Sequence, residues 1–479
     1  MRQSKPTPSA VEGLDVQAPD PRRWATLAVV VSAQLLIVLD SSVVTIALPS
    51  AQTELGMSDS AKQWVVAAYT LTFGGFLLVG GRLADVHGRK KIFLLGLLGF
   101  AVTSALGGLA VGPAMLPLAR AAQGVFAALL APAGLALLTT AFSDARERAR
   151  AFGIFGAAVG SGMAVGMVLG GVLTELGSWR WCLLVNVPLV LAVLVPAVRF
   201  LAESQLDAVV KYDLPGAITG TLGVGTLIYG LSEAETVGWT HPSTVASGLA
   251  GLALLIAFVV IERRSERPMM PLRVVVDRVR GAGYAIVFLA GAALLAFYLF
   301  LTYYLQLVRE YSPLLTGLAF LPSAAGVFVG SLAAGRILGR SGPRAVLTTG
   351  LLMGAAGMAY LGVLDPASGF WSVLFPALLV SGLGIGAALT TVTKITLDGV
   401  PSGDAGVAGA LTNAMRQIGG AVGVSALNVV ALSVTAAKGD SGDDVLTDGY
   451  VAAFVVGAGL LALAAVIAVV MTGSRRARG

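Results

Sequence analysis

Long apolar runs alternate with short polar stretches along nearly the whole chain. A helix needs about 20 residues to cross the hydrocarbon core of a bilayer. On that scale the pattern predicts fourteen membrane-spanning helices. The first apolar run is too long for a signal peptide and is followed by many similar runs, so it is interpreted as a retained span. The predicted spans cover residues 24–49, 62–81, 92–111, 115–141, 151–173, 181–201, 214–233, 244–261, 282–307, 314–337, 344–363, 371–392, 405–432 and 450–472.

Positive charge divides unevenly between the two sides of this topology. An even number of spans places both termini on one side, and that side carries 26 of the 32 Lys and Arg residues. The opposite loops carry four, and two lie inside spans. Because Lys and Arg are enriched in cytoplasmic loops, the termini are predicted to be cytoplasmic. The same rule accounts for the net charge of +6, which therefore gives no reason to expect nucleic acid as a partner.

The composition narrows the class of protein. Hydrophobic residues make up 56% of the chain and charged residues 12%, with a mean hydropathy of +0.85. Soluble domains usually carry about 25% charged residues, so the chain is expected to be an integral membrane protein. A single cysteine, Cys182, excludes an intramolecular disulfide, and two histidines argue against a His/Cys metal site. No predicted soluble domain or phosphate-binding loop interrupts the spans, so no ATP hydrolysis is expected.

One acidic residue, Asp40, lies well inside an apolar run, in the stretch Leu39–Pro49. A carboxylate near the centre of a bilayer costs roughly 2.5–3.5 kcal/mol on insertion scales, so it needs a partner, a proton or water. Burial disfavours the charged form of a carboxyl group, whereas a nearby cation favours it. The sequence thus indicates a group that takes up and releases protons in a transport path. The alternative is a structural acid bonded within the helix bundle.

An internal repeat divides the chain. Residues 81–90 (GRLADVHGRK) and 335–344 (GRILGRSGPR) share Gly, Arg, an aliphatic residue, a second Gly and a terminal base at matched positions 254 residues apart. Two parallel six-span halves would produce this pattern. The predicted organisation is a disordered tail (1–23), an N-terminal six-helix bundle (24–201), a linker with two extra membrane helices and an amphipathic inner loop (202–280), a C-terminal six-helix bundle (281–472) and a basic tail (473–479).

These motifs resemble the major facilitator superfamily and, within it, the fourteen-span drug:proton antiporters. Residues 81–91 resemble the signature G-x-L-A-D-R-x-G-R-K, and Leu39–Pro49 resembles the first-span motif L-D-x-T-V-V-N-V-A-L-P. Arg120–Gly124 (RAAQG) is similar to the fourth-span motif R-x-x-Q-G. Trp179–Trp181, followed by Asn-Val-Pro, and Arg416–Gly420 (RQIGG) fit the same family. The resemblance covers nearly the whole chain beyond the tail.

The fifth-span antiporter motif of that family, G-x-x-x-G-P-x-x-G-G, is altered here. Its glycines are Gly162, Gly166, Gly170 and Gly171, but Met167 stands where proline is expected. Glycines at this spacing let helices approach closely, so a packing role is expected to remain. A proline-dependent kink is not expected.

The resemblance implies roles for further residues. Asp40 and Arg120 lie about 13 Å and 8 Å from the same ends of their spans at 1.5 Å per residue, so they can meet. Arg120, with Gln123, is expected to hold Asp40 ionised in one state and leave it in another; the alternative is a structural cation. Arg416 and Gln417 are candidates for the substrate cavity or for an interhelical clamp. A conformational latch between the halves is expected at Gly81, Asp85, Gly88, Arg89 and Lys90, with tight turns at both glycines; simple charge anchoring is the alternative.

The predicted function is proton-coupled efflux of drugs, antibiotics or similar hydrophobic molecules by alternating access. It needs no cofactor beyond a proton gradient, and its partners are a drug-like substrate, protons and the lipid bilayer of a bacterial inner membrane. A monomer is expected. Aromatic residues such as Tyr69 and Phe73 are candidates for an apolar cavity, although most aromatics are expected to pack in the core. The alternatives are export or import of a dedicated metabolite, a membrane-embedded enzyme and a non-transporting receptor.

Overall fold

The computed structural model describes residues 21–142, 144–203, 214–265, 277–398, 400, 405–438 and 442–471. Helices dominate these residues, joined by short turns. The α-helices are α1 Arg23–Leu55, α2 Asp59–His87, α3 Arg89–Gly108, α4 Met115–Ala141, α5 Ala145–Leu176, α6 Trp181–Leu184, α7 Asn186–Phe200, α8 Leu214–Val237, α9 Pro242–Arg264, α10 Arg278–Tyr303, α11 Pro313–Ala319, α12 Leu321–Tyr360, α13 Phe375–Leu397, α14 Ala405–Lys438 and α15 Asp443–Met471.

Local sequence explains where several helices end. α1 stops at Gly56, whose φ of 61° is left-handed, and Ser58 then caps α2 by accepting a hydrogen bond from the backbone N–H of Ala61. Gly88, with φ of 102°, separates α2 from α3. Gly342 has φ of 75° and breaks α12 at the position 254 residues after Gly88. The predicted repeat therefore extends to backbone conformation, because both glycines adopt angles that other residues rarely take.

Several helix boundaries differ from the predicted spans. α1 continues through Pro49 to Leu55, whereas the first span was predicted to end at residue 49. The predicted span 181–201 corresponds to α6 and α7 together, which form one apolar segment, Trp181–Phe200, with helical backbone angles at Val185 between them. The predicted spans 314–337 and 344–363 belong to one apolar segment, Pro313–Val363, that bends at Gly342.

The described residues contain ten helical segments long and apolar enough to cross a membrane, or up to eleven if the bent pair Ala61–Leu77 and Val79–His87 is one span. The structure is thus an all-helical, multi-pass architecture. Its number of candidate spans is smaller than the predicted fourteen. The difference lies partly in segment Pro313–Val363, which counts once despite its 51 residues.

Helix contacts fall into groups. Helices α1 to α5 and α7 pack mainly on one another, as do α10 and α12 to α15. The α8–α9 pair packs together, and α8 also contacts α2 and α14. We count α11 with the second group because it leads directly into α12, although it packs mainly on α5. Contacts between the first two groups are then carried chiefly by α2 against α14 and by α5 against α11. We call the boundary between them the seam.

Glycine permits the closest helix contacts within each group. A Cβ atom at Gly80 of α2 would overlap the backbone of Ala128 in α4, and one at Gly386 of α13 would overlap the backbone of Val327 in α12. Close backbone approach of this kind is the main route to tight packing in membranes, where burying apolar area supplies little driving force. These contacts fix the rotation of each helix and therefore which polar groups can meet.

The largest cluster of buried apolar side chains crosses the seam at one end of the molecule. It joins the last turns of α1, including Ile46 and Leu48, to Phe297, Phe300 and Leu305 in and just after α10. We call this the α1–α2 end, because the turn from α1 to α2 lies there. The opposite end carries the α2–α3 turn. Apolar packing thus holds the two groups together at the α1–α2 end.

Candidate functional site

Asp40 is fully buried in α1, and both of its carboxylate oxygens are hydrogen-bonded. Arg120 Nη1 donates to Oδ2 at 2.5 Å, and Gln123 Nε2 donates to Oδ1 at 2.9 Å. Arg120 Nη1 also lies 2.5 Å from Gln123 Oε1. The two donors are three residues apart on α4, so they share one face of that helix. A buried carboxylate with a paired cation and amide donors is stabilised in its charged form.

A third donor to Asp40 comes from α7. Asn186 Nδ2 donates to Asp40 Oδ1 at 2.7 Å and to Ser104 Oγ at 2.9 Å, and Ser104 in turn donates to the backbone carbonyl of Leu183 at 2.8 Å. Asn186 is 1% exposed and Ser104 is fully buried. Donors from α4 and α7 thus meet at the carboxylate of α1, and α3 joins the cluster through Ser104. Sequence reasoning assigned Asn186 and Ser104 no role, although Asn186 is a polar residue at the entrance of an apolar run.

The other face of the Arg120 guanidinium contacts an aromatic ring. Arg120 Cζ lies 4.1 Å from the centroid of the Tyr69 ring in α2. This cation–π contact stabilises a desolvated guanidinium beyond its ion pair. Phe73, one turn further along α2, packs against Tyr69. Both rings are at most 2% exposed, so they belong to the packed core in this conformation.

Arg416 and Gln417 lie on α14 at the seam. A Cβ atom at Gly74 of α2 would lie 3.1 Å from Gln417 Cβ. The backbone of Arg416 packs against Gly291 of α10. Arg416 is half-buried, and its Nη2 donates to Asn413 Oδ1 at 2.7 Å. Neither Arg416 nor Gln417 is bonded to the Asp40 cluster among the described residues. Gln417 instead meets α2 at Gly74, across the seam.

The predicted packing glycines of α5 face two different partners. Gly162, Gly166 and Gly170 lie against α1, where a Cβ at Gly170 would be 2.9 Å from Val43 Cα. Gly171 faces the opposite way, and a Cβ there would be 2.6 Å from the carbonyl oxygen of Pro313. The motif thus contacts α1 along one face and α11 across the seam at its end. Met167 contributes its backbone to the same crossing, against Gly317.

Polar contacts join the two groups of helices at the α1–α2 end. Gln306 Nε2 donates to the backbone carbonyl of Ile46 at 2.9 Å. Glu175 Oε2 accepts a hydrogen bond from the backbone N–H of Leu314 at 2.9 Å, in the first turn of α11. A carboxylate at a helix N-terminus is favoured by the helix dipole. The seam is therefore closed at this end by both apolar and polar contacts.

The predicted latch lies at the opposite end. Asp85 Oδ1 accepts a hydrogen bond from Arg89 Nη2 at 2.9 Å, and the backbone N–H of Lys90 donates to Glu203 Oε1 at 3.0 Å. These partners belong to the same group of helices. The predicted turn at Gly81 is wrong: Gly81 lies inside α2 and packs against Pro132, because the helix continues to His87. Gly88 does form the predicted turn.

Several predicted features lie outside the described residues. They are most of the N-terminal tail, most of the amphipathic inner loop and the C-terminal basic tail.

Comparison with known families identifies the architecture. The sequence model of the Major Facilitator Superfamily matches residues 30–424. The chain belongs to the Major Facilitator Superfamily. The match spans the Asp40 cluster, the latch residues and Arg416, so all the candidate sites of this facilitator lie within the family's own region.

This facilitator is similar to characterised relatives over most of its length. It is 47% identical to the puromycin resistance protein pur8 of Streptomyces alboniger, over 98% of this chain and 96% of that protein. It is 42% identical to the cephamycin export protein CmcT of Amycolatopsis lactamdurans, over 86% of each. Among solved structures, an auto-inhibited POT family peptide transporter superposes with a TM-score of 0.65 at 17% identity, covering 92% of this chain and 96% of that one. The last likeness concerns the fold alone.

Proposed function

We propose that this facilitator exports drugs, antibiotics or similar hydrophobic small molecules in exchange for protons. The observation that carries the proposal is the fully buried Asp40 carboxylate, bonded to Arg120, Gln123 and Asn186. An ionisable group at this depth marks an ion or substrate pathway more often than a purely structural element. Relatives named for puromycin resistance and cephamycin export, which extend over most of this chain, support the direction and the class of substrate.

The coupling step follows from the geometry of the cluster. With Arg120 bound, the carboxylate of Asp40 is held ionised. Movement of α4 relative to α1 separates the guanidinium from the carboxylate, which favours proton uptake because an isolated buried charge is unstable. Protonation in turn releases Arg120 from its ion pair. Proton binding and helix rearrangement thus favour each other, as alternating access requires.

The proposal retains the predicted topology of fourteen membrane-spanning helices. Fourteen spans result if Pro313–Val363 crosses twice around Gly342, the bent α2 pair crosses once, and the shorter apolar helices Val165–Leu176 and Ile218–Leu227 are parts of two further spans. Residues 24–201 and 281–472 then form the two six-helix bundles, with α8 and α9 in the linker between them. Both termini are cytoplasmic, in a bacterial inner membrane, and the protein works as a monomer.

The closed seam at the α1–α2 end then faces away from the cytoplasm. In this proposal the structure represents the state open toward the cytoplasm, in which Asp85 pairs with Arg89 of its own loop. In the opposite state, the latch residues engage the C-terminal bundle. Entry of one proton releases about 2.3 kcal/mol per 100 mV of membrane potential, in addition to any pH gradient, which can drive uphill export.

A second candidate is export of one dedicated metabolite. Relatives such as the cephamycin export protein carry the name of a single compound, which favours this alternative over broad drug efflux. The two differ in the breadth of substrates rather than in the coupling chemistry.

Resistance profiling tests the proposal. A drug-hypersensitive bacterial host expressing the chain is expected to resist several hydrophobic antibiotics, and a protonophore should abolish that resistance. Everted vesicles, in which the cytoplasmic face is outside, should accumulate the same drugs only when acidified inside. Accumulation with the reverse gradient would indicate uptake, and resistance to a single compound would favour the dedicated exporter.

A further inference from the structure

Lys62 is a buried base at the α1–α2 end, in the first turn of α2. It is 5% exposed, and its Nζ lies 4.2 Å from the centroid of the Tyr303 ring. Tyr303 is the last residue of α10, so this contact crosses the seam. A cation over the face of a tyrosine ring is attracted by the ring quadrupole, most strongly when both groups are shielded from water. Lys62 therefore joins the two groups of helices at the end where the seam is closed.

Tyr303 belongs to a cluster of three aromatic rings in the second group of helices. Its ring centroid lies 6.3 Å from that of Phe300, also in α10, and 6.4 Å from that of Tyr450 in α15. Phe300 and Tyr450 stack on each other, with their centroids 6.1 Å apart. All three side chains are buried. The neighbouring rings restrict the orientation of the Tyr303 ring, so the second group presents an ordered aromatic face to Lys62.

Three other bases lie at the α1–α2 end, and each bonds within its own group of helices. These bonds are Arg180 to Glu54, Lys438 to Asp448, and Arg309 to the backbone carbonyl of Pro366. Such contacts can persist when the two groups move apart as units. The contact between Lys62 and Tyr303 cannot, because its two partners belong to different groups. Its formation therefore depends on the conformation of the seam.

The charge of Lys62 makes this contact sensitive to opening. Burial of an ammonium group is costly, because the group gives up its hydration. In the closed arrangement the Tyr303 ring compensates for part of that cost, whereas separation of the two groups would return the ammonium to water. The two effects oppose each other. Loss of the ring while the charge remains would therefore shift the balance toward the open arrangement.

We infer that Lys62 is a positioning residue of a gate at the α1–α2 end. Its ammonium, seated on the Tyr303 ring, holds α2 against α10 while the substrate path is open at the opposite end, and it enters water when the gate opens to release the substrate. The inference rests on the proposed function, because it requires the two groups of helices to separate at this end during export. The role is separate from that of Asp40, which handles the proton.

Accessibility of a buried position beside Lys62 reports opening of the gate. Val65 is fully buried, lies three residues further along α2 on the same face, and belongs to the apolar cluster that crosses the seam. The cysteine introduced by Val65→Cys is labelled in the purified full-length protein with a water-soluble maleimide. Protein in detergent exposes both ends to the reagent, so the result does not depend on the membrane topology. The labelling rate of Val65→Cys without further changes is the reference.

A cycle of variants isolates the contact. Tyr303→Leu removes the ring while Lys62 stays charged, so it should raise the labelling rate about tenfold, within the range of a desolvated cation–π contact. Tyr303→Phe keeps the ring and should leave the rate unchanged. In a Lys62→Gln background Tyr303→Leu should have little effect, because no charge is left to be desolvated. In a Lys62→Arg background the effect should return, because the charge remains.

Two controls separate gate opening from general loosening of the fold. Lys438→Gln removes a base at the same end whose pair with Asp448 stays within the second group, so it should leave the labelling rate unchanged. The native Cys182 is buried within the first group beside Thr174, and mass spectrometry distinguishes its labelling from that at position 65. A rise at Cys182 equal to the rise at position 65 would show loosening and overturn the inference. An equal effect of Tyr303→Leu with and without Lys62→Gln would show that the ring only packs, and would also overturn it.

The labelling cycle is independent of proton coupling. Should everted vesicles show no protonophore-sensitive transport, the proposed function fails, while the dependence of the Tyr303→Leu effect on a charge at position 62 still decides the role of Lys62. Conversely, proton-driven drug export together with additive effects of the two substitutions would retain the function and reject the gate residue.

Discussion

The two intramembrane arginines of this transporter occupy contrasting environments. Arg120 is 2% exposed, paired with Asp40 and stacked on Tyr69, whereas Arg416 is half-buried and bonded to a neutral side chain of its own helix. A buried ion pair is neutral overall and tolerates desolvation, whereas a lone cation does not. The contrast teaches that the charge of Arg120 is balanced within its own group of helices, whereas among the described residues Arg416 is bonded only to a neutral amide of its own helix.

Breaking the Asp40–Arg120 pair should have the largest effect. Asp40→Asn removes the titratable group, so proton-driven export should fall to the level of protonophore-treated wild type. It also leaves Arg120 buried without its counter-ion, which should destabilise the protein by about 3–5 kcal/mol. Vesicle transport and thermal unfolding in detergent measure the two effects.

A double variant separates coupling from stability. Asp40→Asn combined with Arg120→Gln has no net buried charge, so it should recover much of the lost thermal stability without recovering transport. Asp444→Asn, at an exposed acid of α15, serves as the matched control and should behave like wild type. Wild-type coupling in Asp40→Asn would contradict the assignment of the proton site.

Replacing Asn186 should have a smaller effect on transport than breaking the Asp40–Arg120 pair. Asn186→Ala deletes one of the three donors to the carboxylate and one side-chain bond between α7 and α1. A hydrogen bond to a charged group is worth about 1.5–3 kcal/mol, so proton-driven transport should fall by about tenfold, less than in Asp40→Asn. Transport in vesicles measures the fall.

Ser104→Ala provides the graded control for Asn186. It removes only the hydroxyl that orients the Asn186 amide, so transport should fall in the same direction and by less. Wild-type transport in Asn186→Ala would contradict a role for this hydrogen bond in the cluster.

The latch variant should have the smallest effect. Asp85→Asn should lower export a few-fold with unchanged amounts of protein in the membrane, because the ion pair with Arg89 is partly exposed and such pairs contribute about 0–1 kcal/mol. Lys91→Gln changes the charge of the same turn at an exposed position and should leave export unaltered. Equal losses in both would favour charge anchoring over a latch.

The estimated depths of Asp40 and Arg120 along their helices were enough to predict that the two side chains can meet, because the rise per residue of a helix is nearly constant. The same reasoning missed Asn186 and Ser104. Their contribution depends on how α3, α4 and α7 pack around α1, and on the hydrogen bond from Ser104 to Leu183. Local sequence patterns do not determine such contacts between helices.

The latch glycines show that sequence also leaves the backbone conformation of a glycine undetermined. Gly88 and Gly342 were marked by the repeat, and both adopt positive φ. Gly81 belongs to the same motif, yet it continues α2, since its missing side chain serves contact with Pro132 rather than a turn. A glycine in a sequence is compatible with either role, and the packing of neighbouring helices decides between them.

Sequence alone determined that the chain is an all-helical membrane protein, that Asp40 is exceptional, and that the motifs match one superfamily. Hydropathy, helix length and charge bias are properties of short stretches of sequence and of their position relative to the bilayer. They can therefore be interpreted without a three-dimensional structure. Only the tertiary structure decided which polar groups share a site, namely the three donors around Asp40. Those contacts depend on the rotation and tilt of whole helices, which are set by close packing at glycines far along the chain.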